Sequence, residues 1–290
     1  MKQKLSLWLF KTLLFILRIT PFSILYIYSN ILYFFLLYIA KYRTKTVNRH
    51  LNQSFPSLSA TDKKNLTKKI YRNLSDVSLE SLKGYTMQES SLAPRWRVTN
   101  PELINQYFNN NQSVIFVCGH LCNWEWGISL DNQIQHHCIK FYKPLHNKAI
   151  NDYLKQCRSR SGNKPYSAKK AMRSFVKNKN KCCAFALIAD QHPAGTKSFH
   201  WTRFLNQDTA VIMGPEVLAK KFNYPVIYCS IQKKRRGFYE ATFSTLTATP
   251  QQTYTGEICE LFMKSLEQDI QRQPETWLWT HKRWKMKPTQ

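Results

Sequence analysis

The first 40 residues carry a hydrophobic pattern unlike the rest of the chain. "LSLWLFKTLLFILRIT" leads to Pro21, and "FSILYIYSNILYFFLLYIA" follows over residues 22–40 without a charge. The second run is long enough to cross a bilayer as one helix. It is also rich in Tyr and Phe, which favour the membrane–water interface. The first run holds Lys11 and Arg18, which suits an amphipathic or interfacial helix, and Pro21 separates the two. The basic segment "KYRTKTVNRH" (41–50) abuts the apolar run. Such flanks stay on the cytoplasmic side and attract anionic headgroups. No small-x-small cleavage site follows residue 17, and the apolar stretch outruns the core of a signal peptide. Two geometries stay open: residues 22–40 span the bilayer, or residues 1–40 form a helical hairpin in one leaflet. The expected division is a hydrophobic membrane anchor over 1–45, of transmembrane or interfacial helices, and one domain over 46–290.

Further along, the period changes twice. Leu66, Ile70, Leu74 and Val77 sit at helical spacing within residues 60–86, with Ser59 or Thr61 as the cap. From about residue 113, short apolar runs read as strands: "SVIFVC" (113–118), "HHCIKFY" (136–142), "CCAFALIA" (182–189), "PVIYCSIQ" (225–232) and "FYEATFSTL" (238–246). Helical stretches fall between and after them, at about 123–133, 147–161, 167–178, 212–222 and 255–272. This alternation predicts an α/β fold: a mixed, mostly parallel sheet flanked by helices, behind an N-terminal hydrophobic helical segment. There is no internal repeat and no low-complexity linker.

Charge adds a constraint on partners. The 290 residues carry a net charge of +26, with Lys and Arg spread along the whole length. The partner is therefore anionic: nucleic acid, an anionic lipid surface or an acidic protein. Short runs such as "KKRR" (233–236) and "HKRWKMK" (281–287) each read as a solvated face, but the total does not. Eight cysteines show no regular spacing, and "CC" (182–183), Cys229 and Cys259 lie in apolar contexts that suit buried free thiols. They point to a reducing compartment. "CGHLC" (118–122) lacks the second pair of ligands that a structural zinc site needs, with "HHC" (136–138) the nearest candidate, so no metal is expected.

The candidate chemistry sits just after the first strand of the alternating region, in "GHLCNWEWG" (119–127). Reactive groups of open α/β sheets collect at the carboxyl ends of strands. His120 lies two residues past "SVIFVC", Gly119 supplies the turn, and Glu125 follows five residues after the histidine. A neutral imidazole is a general base near pH 7, and a carboxylate can hold its ring and stabilise the imidazolium. With no enzyme nucleophile in the pair, a substrate hydroxyl would be the nucleophile. The plain alternative is a satisfied histidine near a helix start, with Glu125 as an acid favoured by the helix dipole.

Several ordered blocks resemble the late acyltransferases of lipid A biosynthesis, within the lysophospholipid acyltransferase superfamily. The resemblance covers nearly the whole chain. Residues 1–50 are similar to the family's hydrophobic anchor with a proline break. "GHLCNWE" (119–125) matches its Gly-His, four residues, then acid, with Asn123 and Trp124 before Glu125. "YKPLHN" (142–147) and "RSR" (158–160) are similar to its next block, and "IADQHPAG" (188–195) to the one after. "FLNQDTAVIMGPEVLAKK" (204–221) and "PETWLWTHKRWK" (274–285) complete the series. Two departures stand out. Lys143 occupies a place where Arg is common, and the loop after "ADQHPAG" is longer and more aromatic than in the family pattern.

The resemblance implies transfer of a fatty acyl group from a thioester, with acyl carrier protein as donor, to the hydroxyl of a lipid A precursor. It implies no cofactor, and a location on the cytoplasmic face of the inner membrane. His120 would take the acceptor's proton, Glu125 would orient His120, and Arg158 would meet the oxyanion, with Arg160 as rival. Asn123, Lys143 and Asn147 would bind donor or headgroup phosphate. Asp190 and Gln191 would line the acceptor pocket or cap a turn. His281, Lys282 and Arg283 would bind phosphate or carrier, with Trp277, Trp279 and Trp284 either at headgroup level or packed in the core. The same chemistry on a lysophospholipid, glycolipid or aminolipid is the alternative. A basic membrane-attached module that recognises nucleic acid without catalysis is the rival class; it predicts tight, salt-sensitive DNA or RNA binding that survives His120→Ala, and the resemblance implies no nucleic-acid partner. A hydrolase would need a serine elbow, and no G-x-S-x-G occurs.

Overall fold

The computed structural model describes residues 2–159, 165–195 and 198–288. Its centre is a seven-stranded sheet in the order β1-β9-β8-β2-β5-β3-β4. The strands are β1 (Trp96–Val98), β2 (Val114–Cys118), β3 (His137–Tyr142), β4 (Tyr166–Ser167), β5 (Cys183–Ile188), β8 (Val226–Arg235) and β9 (Phe238–Thr247). All neighbours are parallel except β8 and β9, joined by a tight turn at Gly237, whose φ is +74°. Five of the strands are the five apolar runs of the sequence. β1 and β4 are too short to carry a period. β6 (Phe199–Phe204) and β7 (Gln207–Ile212) form a separate antiparallel hairpin in the aromatic loop that follows "ADQHPAG".

Continuous apolar strands make the sheet a two-faced core: Val114, Ile115, Val117, Cys183, Ala184 and Phe185 are all fully buried. α6 (Pro101–Asn109), α7 (Lys148–Arg158), α8 (Ala171–Lys177), α9 (Gly214–Phe222) and α10 (Glu257–Arg272) complete the alternating part. Where a helix was expected at 123–133, a 3-10 helix forms over Trp124–Asn132. All eight cysteines are free thiols.

The N-terminal third is helical. α1 (Lys2–Ile19) and α2 (Phe22–Phe34) break at Pro21, and a π-helical turn (Phe35–Ile39) extends α2. α3 (Thr44–Ser54) leads to α4 (Ala60–Gly84), which starts on a Ser59 side-chain cap accepting from the Asp62 amide. A short α5 (Glu89–Leu92) precedes β1. Both apolar helices are fastened by polar groups from α4. The Lys83 ammonium, 6 % exposed, donates to the carbonyls of Leu17, Arg18 and Thr20 at 2.7, 2.9 and 2.8 Å. These are the orphan carbonyls at the end of α1, and a cation there also meets the negative end of the helix dipole. Glu80, fully buried, accepts from Tyr26 of α2, from Asn123 and from Tyr239 of β9.

Removing the ammonium alone leaves three carbonyls without a donor. Lys83→Met is expected to lower stability by about 2 kcal/mol, the scale of a hydrogen bond to a charged group. Thermal unfolding in detergent would read this, and an unchanged midpoint would show that the three bonds contribute nothing net.

Candidate active site

β2 and β5 are parallel neighbours with Cys118 opposite Ile188, so the loops that leave their carboxyl ends emerge side by side. One carries His120, the other Asp190. The exit from β2 runs hard against α10: a Cβ on Gly119 would lie 2.5 Å from Leu266 Cδ1 and 3.5 Å from an Asp190 carboxylate oxygen. Only glycine lets the chain pass this close.

His120 Nδ1 lies 2.5 Å from Asp190 Oδ1. Asp190 Oδ2 accepts from the His120 backbone amide at 3.0 Å and from the Trp277 indole at 2.8 Å. Burial pushes the Asp190 carboxyl up, but the His120 ring, the His120 amide and the Trp277 indole outweigh it and hold the group at about 2. The ionised carboxylate accepts a hydrogen bond from Nδ1–H, and in the tautomer with a single ring proton this leaves Nε2 as the acceptor. The Gln191 amide donates to Nε2 at 3.1 Å, and Trp124 packs edge-on to the ring at 4.9 Å between centroids. The pairing of His120 with Glu125 expected from sequence is thus replaced by one with Asp190. The reason is strand order: Asp190 enters from the adjacent strand, while Glu125 turns away on the 3-10 helix.

Glu125 has its own partners. Arg158 Nη2 donates to both of its carboxylate oxygens, at 3.2 and 3.1 Å, and Tyr85 donates at 2.9 Å. Arg158 Nη2 also donates to the Tyr85 hydroxyl at 2.7 Å. Burial raises the Tyr85 phenol, with the Glu125 charge adding to it. Arg158 is the last residue of α7, so the helix end delivers it to this pair.

Both groups open on one cavity of about 620 Å³, lined by His120, Glu125, Arg158, Tyr85 and Gln191 at its polar side. Most of its remaining lining is apolar, including Trp96, Phe116, Leu130, Leu187 and Ile231. The volume is that of a small-molecule site. Lys143 lines it and is exposed.

The remaining residues expected at the site fall elsewhere. Asn123 is fully buried, donating to Glu80 and accepting from Ser81, so it braces α4 rather than meeting a ligand. Asn147 caps α7 by accepting from the Ile150 amide, and donates to Ser6 of α1. Arg283, 1 % exposed, donates to the Ala210 carbonyl, and burial lowers it to about 10. His281 stands close by but accepts from the His192 amide, and burial lowers it to about 4, which leaves it neutral and a poor phosphate ligand. Trp277 and Trp279 are core residues, at 3 % and 0 % exposure, rather than a headgroup stripe. Arg160 lies outside the described residues. Sequence reasoning missed two parts of the site. Tyr85 follows α4 with no local signal. Trp277 was singled out, but not as the donor that holds Asp190.

A cavity that joins a carboxylate-held imidazole to apolar walls suits transfer chemistry on an amphiphile. The sequence profile of the bacterial lipid A biosynthesis acyltransferase family matches residues 1–286. The chain belongs to that family and is an acyltransferase. It is similar to a lipid A biosynthesis palmitoleoyltransferase of Escherichia coli (strain K12), 21% identical over 248 residues, which are 86% of this chain and 80% of that protein. A lipid A biosynthesis acyltransferase of Shigella flexneri matches with the same identity and coverage.

Asp190→Asn keeps the shape and removes the charge that fixes the tautomer. Turnover is expected to fall by about 10²- to 10⁴-fold with little change in KM; near-normal turnover would remove Asp190 from the chemistry. Because the folded pKa lies below the unfolded one, the stability this carboxylate adds is present above about pH 4 and lost as pH falls toward 2. The stability gap between wild type and Asp190→Asn, read by urea unfolding, should therefore close over that window.

Proposed function

We propose that the protein moves a fatty acyl chain from an acyl thioester, carried by acyl carrier protein, to a hydroxyl of a lipid A precursor, at the cytoplasmic face of the inner membrane. The observation that carries the reading is the His120 ring, clamped at Nδ1 by Asp190, on the wall of a cavity that is otherwise largely apolar. The acceptor hydroxyl takes the place of the Gln191 amide at His120 Nε2 and gives up its proton there. Its oxygen attacks the thioester carbon, so a C–O bond forms and the carbonyl becomes an oxyanion. Asp190 stabilises the imidazolium created in this step. As the oxyanion collapses the C–S bond breaks, and the imidazolium returns its proton to the leaving thiolate.

Arg158 is the donor for the oxyanion, held in place by Glu125 and Tyr85. Glu125 in this reading is a positioning residue: it fixes the guanidinium rather than the imidazole. The acyl chain lies against Trp96, Phe116, Leu130 and Ile231. The lipid A acceptor is supported by the family and by the names of both relatives. The net charge of +26 favours an acidic carrier and an anionic lipid, so the rate is expected to fall with added salt.

The reading is tested with membranes containing the protein, given acyl carrier protein thioesters of several chain lengths and a partly acylated lipid A precursor. Mass spectrometry is expected to show one added acyl mass with wild type and none with His120→Ala. Transfer to a lysophospholipid instead would replace the acceptor, and undiminished transfer by His120→Ala would overturn the mechanism. Glu125→Gln and Arg158→Ala should lose turnover to a similar degree, and the double variant little more, because the two act as one unit.

A further inference from the structure

Among the described residues one helical stretch, Phe22–Ile39, is apolar and long enough to cross a membrane, with a mean hydropathy of 1.7. Its contacts show where it lies. Tyr26 donates to Glu80 at 2.9 Å, Ser29 donates to Asp76 at 2.6 Å, and the Arg72 guanidinium sits 5.2 Å from the centre of the Tyr33 ring. Numbers rise along α2 as they fall along α4, so the helices run antiparallel and in contact over this stretch. The seven steps from Tyr26 to Tyr33 cover about 10 Å, the middle of the apolar run. The β8–β9 turn adds to the same face: Arg236 donates to the Asn30 side chain at 3.0 Å and forms a bidentate pair with Asp76.

A bilayer around α2 would therefore have Asp76, Arg72 and Arg236 at its midplane. Each charge there costs several kcal/mol, and α4, with Lys69 and Arg72 exposed on it, cannot follow a span into hydrocarbon. The opposite face of α2 is different. Ile24, Ile27, Ile31, Phe34 and Phe35 are exposed. On α1, Trp8, Leu9, Phe15 and Ile16 are exposed beside exposed Lys4, Lys11 and Arg18. An apolar surface of this size, rimmed by cations, fits the boundary between headgroups and acyl chains of an anionic leaflet.

We infer that α1 and α2 lie in the plane of one leaflet and that neither crosses the membrane. This rests on the membrane attachment proposed above and adds its geometry. It also sets the approach of substrate. α1 is tied to α7 by Asn147 donating to Ser6 at 2.9 Å, and by Phe10 and Lys11 packed on Tyr153. α7 ends at Arg158 on the cavity wall, with exposed Lys143 and Leu145 beside it. An embedded α1 thus brings the cavity rim to headgroup level, where an amphiphile passes sideways between leaflet and site.

The test uses Ile24→Cys, Ile31→Cys and Ile39→Cys, each exposed on the outer face. Each variant carries an environment-sensitive fluorophore, with the labelled parent as background for the native thiols. In phosphatidylglycerol–phosphatidylethanolamine vesicles, quenching by lipids with a nitroxide at shallow or deep positions reports depth. All three sites are expected at one shallow depth. An upright helix would place Ile31 about 10 Å deeper than Ile24 and Ile39, from 1.5 Å per residue, and that result overturns the inference alone. Protein that fails to sediment with the vesicles overturns the attachment itself, and the inference with it.

Discussion

The register between β2 and β5 is the constraint on which the site depends. Cys118 faces Ile188 across a parallel ladder, and two residues beyond each stand His120 and Asp190. A slip of one residue would turn every side chain of one strand to the opposite face and move Asp190 away from the ring. Two features hold the register where it matters. The Ala189 amide donates to the Cys118 carbonyl at 3.2 Å, continuing the ladder past the strand ends. Gly119 then lets the β2 exit lie against Leu266. The C-terminal segment closes the arrangement, because Leu121 pairs with Trp277 and the Trp277 indole reaches Asp190.

Two carboxylates in one site are kept apart by their surroundings. Asp190 is buried, and the donors around it hold its carboxyl below the usual carboxylate range, so it stays ionised beside the His120 ring. Glu125 is part-exposed and paired with a guanidinium, so its charge is already balanced before substrate arrives. A single carboxylate could not hold the imidazole and pair with the Arg158 guanidinium at once. The imidazole and the guanidinium are thus each oriented by a carboxylate of its own, and both line the same cavity.

The sheet was legible because its buried strands are continuous apolar runs, and the helices because their periods and caps are local. β1, β4 and the β6–β7 hairpin were missed: two are too short for a pattern, and the hairpin lies in a loop whose aromatic residues alternate weakly. That His120, Glu125 and Arg158 line one cavity was legible, since glycine-turn and family motifs are short in sequence. Their partnerships were not. Which carboxylate meets His120 depends on β2 lying next to β5, 70 residues apart, and no spacing within "GHLCNWE" contains that information. Asn123 and Arg283 were assigned to ligands because polar residues near a motif look functional; burial against Glu80 and Ala210 gives them structural work instead.

The N-terminal helices show the opposite case, in which the signal was present and averaged away. Mean hydropathy marks residues 22–39 as a span because it sums over the whole window. Position tells more than the sum. Tyr26, Ser29, Asn30 and Tyr33 fall at i, i+3, i+4 and i+7, which is one face of a helix. Each meets a polar or charged group of α4 or the β8–β9 turn. A lipid-facing span has no use for such a stripe, since hydrocarbon offers hydroxyls and amides no partners. A helix laid along a charged surface needs one, with its apolar residues on the side away from that surface. The stripe therefore argues for a helix that rests in the leaflet on its apolar side and is held to the catalytic body on its polar side.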